Sequence, residues 1–171
     1  VFSEPIGVLA GQAGGYGIPF LGVNINFMSP NYNSDIHELG HVFGLYHTHT
    51  FDNTSGLNSY TGDKVCDTPT SPNLLGLVNP NCDLYPNFTS KANEYELDEP
   101  SIGINKLKTM PKESIETIIH NIMGYSYGEC RDEFTEQQIK RMRKTIETSI
   151  DLRNCVIGME KIELDFLENL N

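Results

Sequence analysis

No apolar run in this chain approaches the roughly 20 residues that a membrane-spanning helix needs, so a helical span within it is excluded. Basic side chains are scarce: 12 lysines and arginines stand against 23 aspartates and glutamates in 171 residues, a formal net charge of −11. Nucleic-acid backbones are bound by clustered Lys and Arg, so nucleic acid is set aside as a partner. An acidic field suits cationic peptides or calcium, and the same acidity keeps a secreted protein soluble. None of the four cysteines, Cys66, Cys82, Cys130 and Cys155, stands in a Cys-x-x-Cys pair. That spacing fits neither a zinc ribbon nor a thioredoxin-type site, and two disulfides in an oxidising compartment is the better account. There is no internal repeat. The stretch from Val1 to Pro5 lacks the basic opening and cleavage pattern of a signal peptide. A first residue of Val points to a processed product whose targeting segment lies upstream.

What is present suits one globular domain: 38% hydrophobic and 20% charged residues, enough to bury a real core. Residues 6–12 and 18–27 read as strands, the second alternating partly through Leu21, Val23, Ile25 and Phe27. Ser29 and Pro30 form a helix-start signal. Tyr32, Ile36, Leu39 and Phe43 follow at offsets of one helical face, which predicts an apolar stripe. Gly44 is placed to end that helix in a left-handed turn. From Thr48 to about Thr117 the chain is rich in Asn, Asp, Gly, Pro, Ser and Thr and reads as irregular. So long a connection needs metal ions, disulfides or both to hold it. Asn53 and Asn87 head glycosylation sequons. Thr135 with Gln138 three residues on predicts a capping box, and Ile139, Met142, Ile146 and Ile150 the buried stripe of the helix behind it. Residues 156–171 read as a short acidic tail, leaving residues 1–155 as the folded domain.

One segment carries chemistry: His37-Glu38-Leu39-Gly40-His41-Val42-Phe43-Gly44-Leu45-Tyr46-His47. On a helix, His37 and His41 lie one turn apart, so both imidazoles can reach one metal ion. Gly44 permits a sharp turn that other residues adopt only at a cost, and the turn lets His47 return as a third ligand. Three neutral nitrogens around Zn²⁺ leave a fourth position open for water, the mark of a catalytic rather than a structural site. Glu38 is offset from His37 by about 100° at ~3.6 residues per turn. It is no ligand, but it can lie beside that water and move its proton. A core histidine explains one such residue, not three in register. His49 and His120 are read as surface or supporting residues, because the ligand set is already complete.

The pattern His-Glu-x-x-His-x-x-Gly-x-x-His resembles the metzincin zinc peptidases. Met123, within Asn121-Ile-Met-Gly-Tyr125, is similar to the methionine of the turn that floors the metal site in those enzymes. Tyr125 stands where several of their families place a tyrosine that steadies the tetrahedral intermediate. The closest resemblance is to the pappalysin-like family. It rests on Leu45 to Thr48, on Asp63 to Pro69, and on Cys130 with Phe134, Thr135 and Gln138, and it runs roughly from Gly17 to Lys144. Gly124 departs from it, since many members carry Asp there.

The resemblance implies an α/β fold of α+β type: a small mixed sheet, an active-site helix, an irregular lower half and a C-terminal helix. The usual upper half is shortened, because only 36 residues precede His37; Ile6 to Gln12 is the expected edge strand for substrate, and the chain is expected to be part of a longer protein. It also implies a secreted endopeptidase acting on peptides or proteins, with zinc at His37, His41 and His47; a pro-segment or further N-terminal part would belong to the longer chain. Calcium is expected at Asp63, Asp67 and Thr68. Geometry excludes a Cys130–Cys155 bond, since the intervening helix would span about 24 Å. The resemblance pairs Cys82 with Cys130, leaving Cys66 with Cys155. It also places Glu129 in the pocket for the residue after the scissile bond, where its carboxylate would favour arginine over lysine. Two rival readings are a zinc-binding module without catalysis and a partner-binding or sorting fragment of a larger secreted protein. Glu38 and Tyr125 speak against the first, since mere binding needs neither.

Overall fold

The computed structural model describes residues 11–13, 21–23, 33–52, 59–94 and 100–154. Strands β1 (Gly11–Ala13) and β2 (Leu21–Val23) pair antiparallel, with Gln12 opposite Gly22. Helix α1 (Ser34–Val42) packs against both. Strands β3 (Phe51–Asp52) and β4 (Ser59–Tyr60) make a second antiparallel pair, in which the Phe51 and Tyr60 rings meet edge to face at 4.9 Å. Helices α2 (Phe88–Glu94), α3 (Pro100–Thr109), α4 (Lys112–His120) and α5 (Glu136–Thr148) follow. The described strands form two antiparallel pairs, so the expected mixed sheet is not found among the described residues. Residues 6–10, most of the expected substrate-pairing strand, lie outside them, as do Asn53 and residues 155–171 with the expected tail.

The core lies where the sequence reads as irregular. Leu74, Leu77, Val78, Ile104, Leu107, Ile118, Ile119 and Cys130 form one buried cluster. Ile104 and Leu107, and then Ile115, Ile118 and Ile119, are at helical spacing within α3 and α4. Each helix spans three turns or fewer, and Pro111 separates them at φ −57°. Burial of these apolar side chains, at about 1.5–3 kcal/mol each, decides for helix over the local polar composition.

Cys82 and Cys130 are joined, with Cα atoms 5.6 Å apart, and the bridge abuts the same cluster. Cys66 is exposed and forms no disulfide among the described residues; its expected partner, Cys155, lies outside them. Among the described residues, the long segment is held by the Cys82–Cys130 disulfide and by its own core.

Helix α5 corrects a second expectation. Ile139 is 37% exposed, and Ile150 is 55% exposed and lies past the helix end. Its fully buried residue is Gln138. The capping box with Thr135 is present, and the same glutamine continues inward into a polar network described below.

The bridge closes a loop across a sequence separation of 48 residues. Chain entropy assigns such a loop about 4 kcal/mol, less in practice. Replacing Cys82 and Cys130 together by serine is expected to remove about 2–4 kcal/mol of stability, seen as a lower denaturant midpoint with a slope that is equal or steeper as the unfolded chain expands. The same midpoint in both proteins would show that the core alone holds the segment.

Candidate metal centre

Helix α1 begins at Ser34, after Asn33 in the left-handed conformation (φ 49°), and not at the Ser29–Pro30 signal, which lies outside the described residues. The Asn33 side-chain amide donates to the Arg131 carbonyl, which ties the helix start to the segment after the disulfide. The expected apolar stripe is also corrected: Ile36 and Leu39 are 39% and 38% exposed. The buried residues are Ser34, His37, Gly40 and Val42. The face at Gly40 needs a small residue because the methionine turn presses on it. A Cβ at Gly40 would come within 2.5 Å of Met123 Sδ.

At the helix end the Gly44 N–H donates to the His41 carbonyl and the Leu45 N–H to that of Gly40, a Schellman arrangement. It requires the left-handed φ of 86° at Gly44, and any side chain there would also strike Thr145. This turn carries the chain back to His47. The His37 Nδ1–H donates to Ile122 O at 2.7 Å and the His41 Nδ1–H to Leu45 O at 2.8 Å, which turns both Nε2 atoms inward. His47 Nε2 lies 3.1 Å from that of His37 and 2.9 Å from that of His41. A tetrahedral ion with bonds of about 2.0–2.1 Å needs nitrogens about 3.3 Å apart, so the three rings fit zinc after small shifts. Among the described residues, these three form the one group of His, Cys, Asp or Glu side chains able to hold a metal ion. Burial is the first cause that lowers His37 to about 3 and His47 to about 2, so both are neutral ligands at pH 7.

The methionine turn is held by nearly every polar group it owns. Ile122 N–H donates to Glu133 O, Met123 N–H to Asn121 Oδ1 and Gly124 N–H to Asn121 O, while Met123 O accepts from Thr48 N–H. Asn121 is 1% exposed and exchanges amide hydrogen bonds with Gln138 (2.9 and 3.2 Å). Gln138 also donates to Asp63 Oδ2 at 2.6 Å and accepts from Thr135 N–H. The capping-box signal reveals Gln138; nothing in the pattern reveals its buried bond to Asn121. Met123 lies fully buried beneath α1.

Tyr125 faces the cluster, its ring 5.5 Å from that of His37, 4.9 Å from His47 and 4.4 Å from His49. Burial and then the negative charge of Glu38 raise its pKa, with Arg131 opposing, so the phenol keeps its proton. His49 is a member of this group and not a surface residue. Its ring stacks on His47 at 4.7 Å, and burial lowers it to about 4. His120 is elsewhere, bonded to Asp132 at 2.8 Å. It lines a cleft of about 680 Å³ that shares no residue with the histidine cluster. Glu129 is exposed on a short 3-10 turn, Gly128–Cys130.

Asp63, Asp67 and Thr68 are brought together, but around a helix start. Asp67 accepts from Thr135 Oγ1 and Gln137 N–H, both at 2.8 Å. Asp63 accepts from Gln138 and Val65, and Thr68 bonds Thr135 at 3.1 Å. Carboxylates at a helix N-terminus neutralise its positive end. Their oxygens already have protein donors, which a calcium ion would have to share or displace.

The chain matches the family model described as pregnancy-associated plasma protein-A, peptidase M43, over residues 17–147. It is 33% identical over 108 residues to an extracellular metalloprotease of Arthroderma benhamiae, covering 63% of this chain and 27% of that protein. A namesake in Arthroderma gypseum is 33% identical over 116 residues (66% and 30%), and one in Aspergillus oryzae 32% over 109 residues (63% and 26%). The chain thus spans under a third of the length of these relatives. No solved structure matches it.

Two outcomes follow from the charges. His37, His47 and His49 sit below the ordinary 6.5 when folded, so unfolding takes up protons below that pH. Stability of the chelator-treated protein is full above pH 6.5 and falls as the pH drops through it. The expected loss between 6.5 and 5.5 is about 1 kcal/mol per histidine, read by denaturant titration; a flat profile would contradict buried neutral imidazoles. Calcium is expected to leave the melting temperature unchanged relative to a calcium-selective chelator. An upward shift with added calcium, absent in Asp63→Ala, would restore the ion at Asp63, Asp67 and Thr68.

Proposed function

Since the chain belongs to the peptidase M43 family of metalloproteases, we propose that it is a zinc-dependent endopeptidase acting outside the cell on peptides or proteins. The observation that carries the reading is the convergence of three imidazole nitrogens, those of His37, His41 and His47, beside the Tyr125 phenol. The relatives' names, all extracellular metalloproteases, support the location. Residues 1–155 are assigned to the catalytic domain and residues 156–171 to a tail; a pro-segment would belong to a longer chain.

His37, His41 and His47 would hold the ion. When bound, zinc supplies a Lewis acid that acidifies water towards a pKa of about 7 and polarises the scissile carbonyl. Glu38 follows His37 on α1, and its charge acts on the Tyr125 phenol, so the two groups face the same space. The Glu38 carboxylate takes the proton of the attacking water and hands it to the leaving amine. The Tyr125 hydroxyl, still protonated, donates to the oxygen on which charge develops. Met123 closes the floor with apolar volume and admits no competing water. These roles rest on the family resemblance together with the positions of the side chains.

Glu129 is assigned to the pocket that receives arginine or lysine after the cleaved bond. Its exposure limits the effect, because a solvated ion pair is worth about 0.2–1 kcal/mol. The preference is therefore expected to be a few-fold only.

Glu38→Gln keeps the helix and the histidines but cannot accept a proton. It is expected to retain zinc by metal analysis and to lose at least about 100-fold in hydrolysis of a quenched casein. His41→Ala is expected to lose the metal. A zinc-loaded parent chain that hydrolyses nothing would select the non-catalytic binding module instead.

A further inference from the structure

The three histidines are not held alike. His37 and His41 are each oriented by a hydrogen bond from Nδ1 to a backbone carbonyl. Metal-binding histidines are normally fixed in this way, and loss of the supporting group weakens metal affinity. Among the described residues, His47 Nδ1 makes no such bond. What bears on its ring is aromatic. His49 stacks on it at a centroid distance of 4.7 Å with an interplanar angle of 16°, and Tyr125 meets it edge to face at 4.9 Å.

The His49 ring is itself held in place. It packs on Tyr125 at 4.4 Å. Thr48, the residue between the two histidines, is 1% exposed and pinned on both sides. Its N–H donates to Met123 O, its carbonyl accepts from Ser71 N–H, and its hydroxyl accepts from Ser71 Oγ. The buried Nδ1 of His49 has no hydrogen-bond partner. At this position the imidazole is used for its flat face and not for that nitrogen.

We propose that His49 is a positioning residue that orients His47 for metal binding by stacking, in place of the hydrogen bond that the other two ligands receive. The inference rests on the reading of His37, His41 and His47 as metal ligands. It separates position 49 from the ligand set: a flat apolar ring should do the same work, and a side chain without a face should not. A phenyl ring also removes a buried atom that lacks a partner, which carries no penalty of its own.

The test is zinc affinity, measured by competition with a chromophoric chelator on the parent chain and on His49→Ala, His49→Leu and His49→Phe, with circular dichroism of each metal-free protein. Alanine and leucine are expected to weaken zinc binding by about 10–100-fold, and phenylalanine to return it close to the parent value. Should the alanine variant not fold, leucine against phenylalanine carries the comparison, since both fill the space and only one is planar. Parent-like affinity in the alanine or leucine variant overturns the inference. So does a phenylalanine variant as weak as leucine, which would assign the role to a ring nitrogen. A parent chain that binds no zinc would instead reject the metal reading itself.

Discussion

Three imidazole nitrogens must reach one point, and the backbone of this protein is arranged around that requirement. A single helix can present only two of them, because residues four apart share a face and the next turn is already too far along the axis. The third has to come from chain that has left the helix and doubled back. Gly44 makes this possible through its φ of 86°, and the close packing of Gly44 on Thr145 ties the reversal to α5. The metal site and the last helix are therefore coupled through a position where no side chain fits.

The methionine turn is the second fixed body. It accepts the hydrogen bond that orients His37, it places Met123 against Gly40, and it presents Tyr125 to the histidine rings. Its own shape is imposed by Asn121, which is buried and satisfied only because Gln138 reaches it from α5. Gln138 in turn is engaged by Asp63 and by the N-cap of its helix. A fully satisfied buried network of this kind is rigid, since breaking one member leaves others without partners in a low-dielectric interior. The carboxylates of Asp63 and Asp67 belong to this scaffold. The family resemblance places calcium at them; in the fold they accept hydrogen bonds from Gln138, Thr135 and the Gln137 N–H at the start of α5.

The readings that failed share a cause. Ile36, Leu39, Ile139 and Ile150 have helical periodicity, yet beside Val42 the buried positions of α1 and α5 are the small or polar Ser34, His37, Gly40 and Gln138. Periodicity reports which residues are apolar, and the inward face here was chosen for close approach and for hydrogen bonding. The segment from Thr48 to Thr117 reads as loop because its apolar residues come in short groups between prolines and polar residues. The groups Ile104 with Leu107, and Ile115 with Ile118 and Ile119, become helical stripes once each has the others to pack on. For His49 the sequence left surface and supporting positions open, since stacking on His47 leaves no spacing pattern.

Sequence alone marked the three-histidine cluster, because a helix fixes the spacing of His37 and His41 locally, and Gly44 marks a reversal that few other residues make cheaply. It also determined the capping box at Thr135, whose partners lie three residues apart, and, through family likeness, the Cys82–Cys130 bond. Only the tertiary structure decided which face of each helix is buried, what holds the methionine turn, and what stands behind His47. Those depend on contacts such as Gln138 with Asp63, 75 residues apart, or His37 with Ile122, 85 apart. No local pattern encodes such contacts, since each is settled by which groups remain to be satisfied when the chain closes on itself.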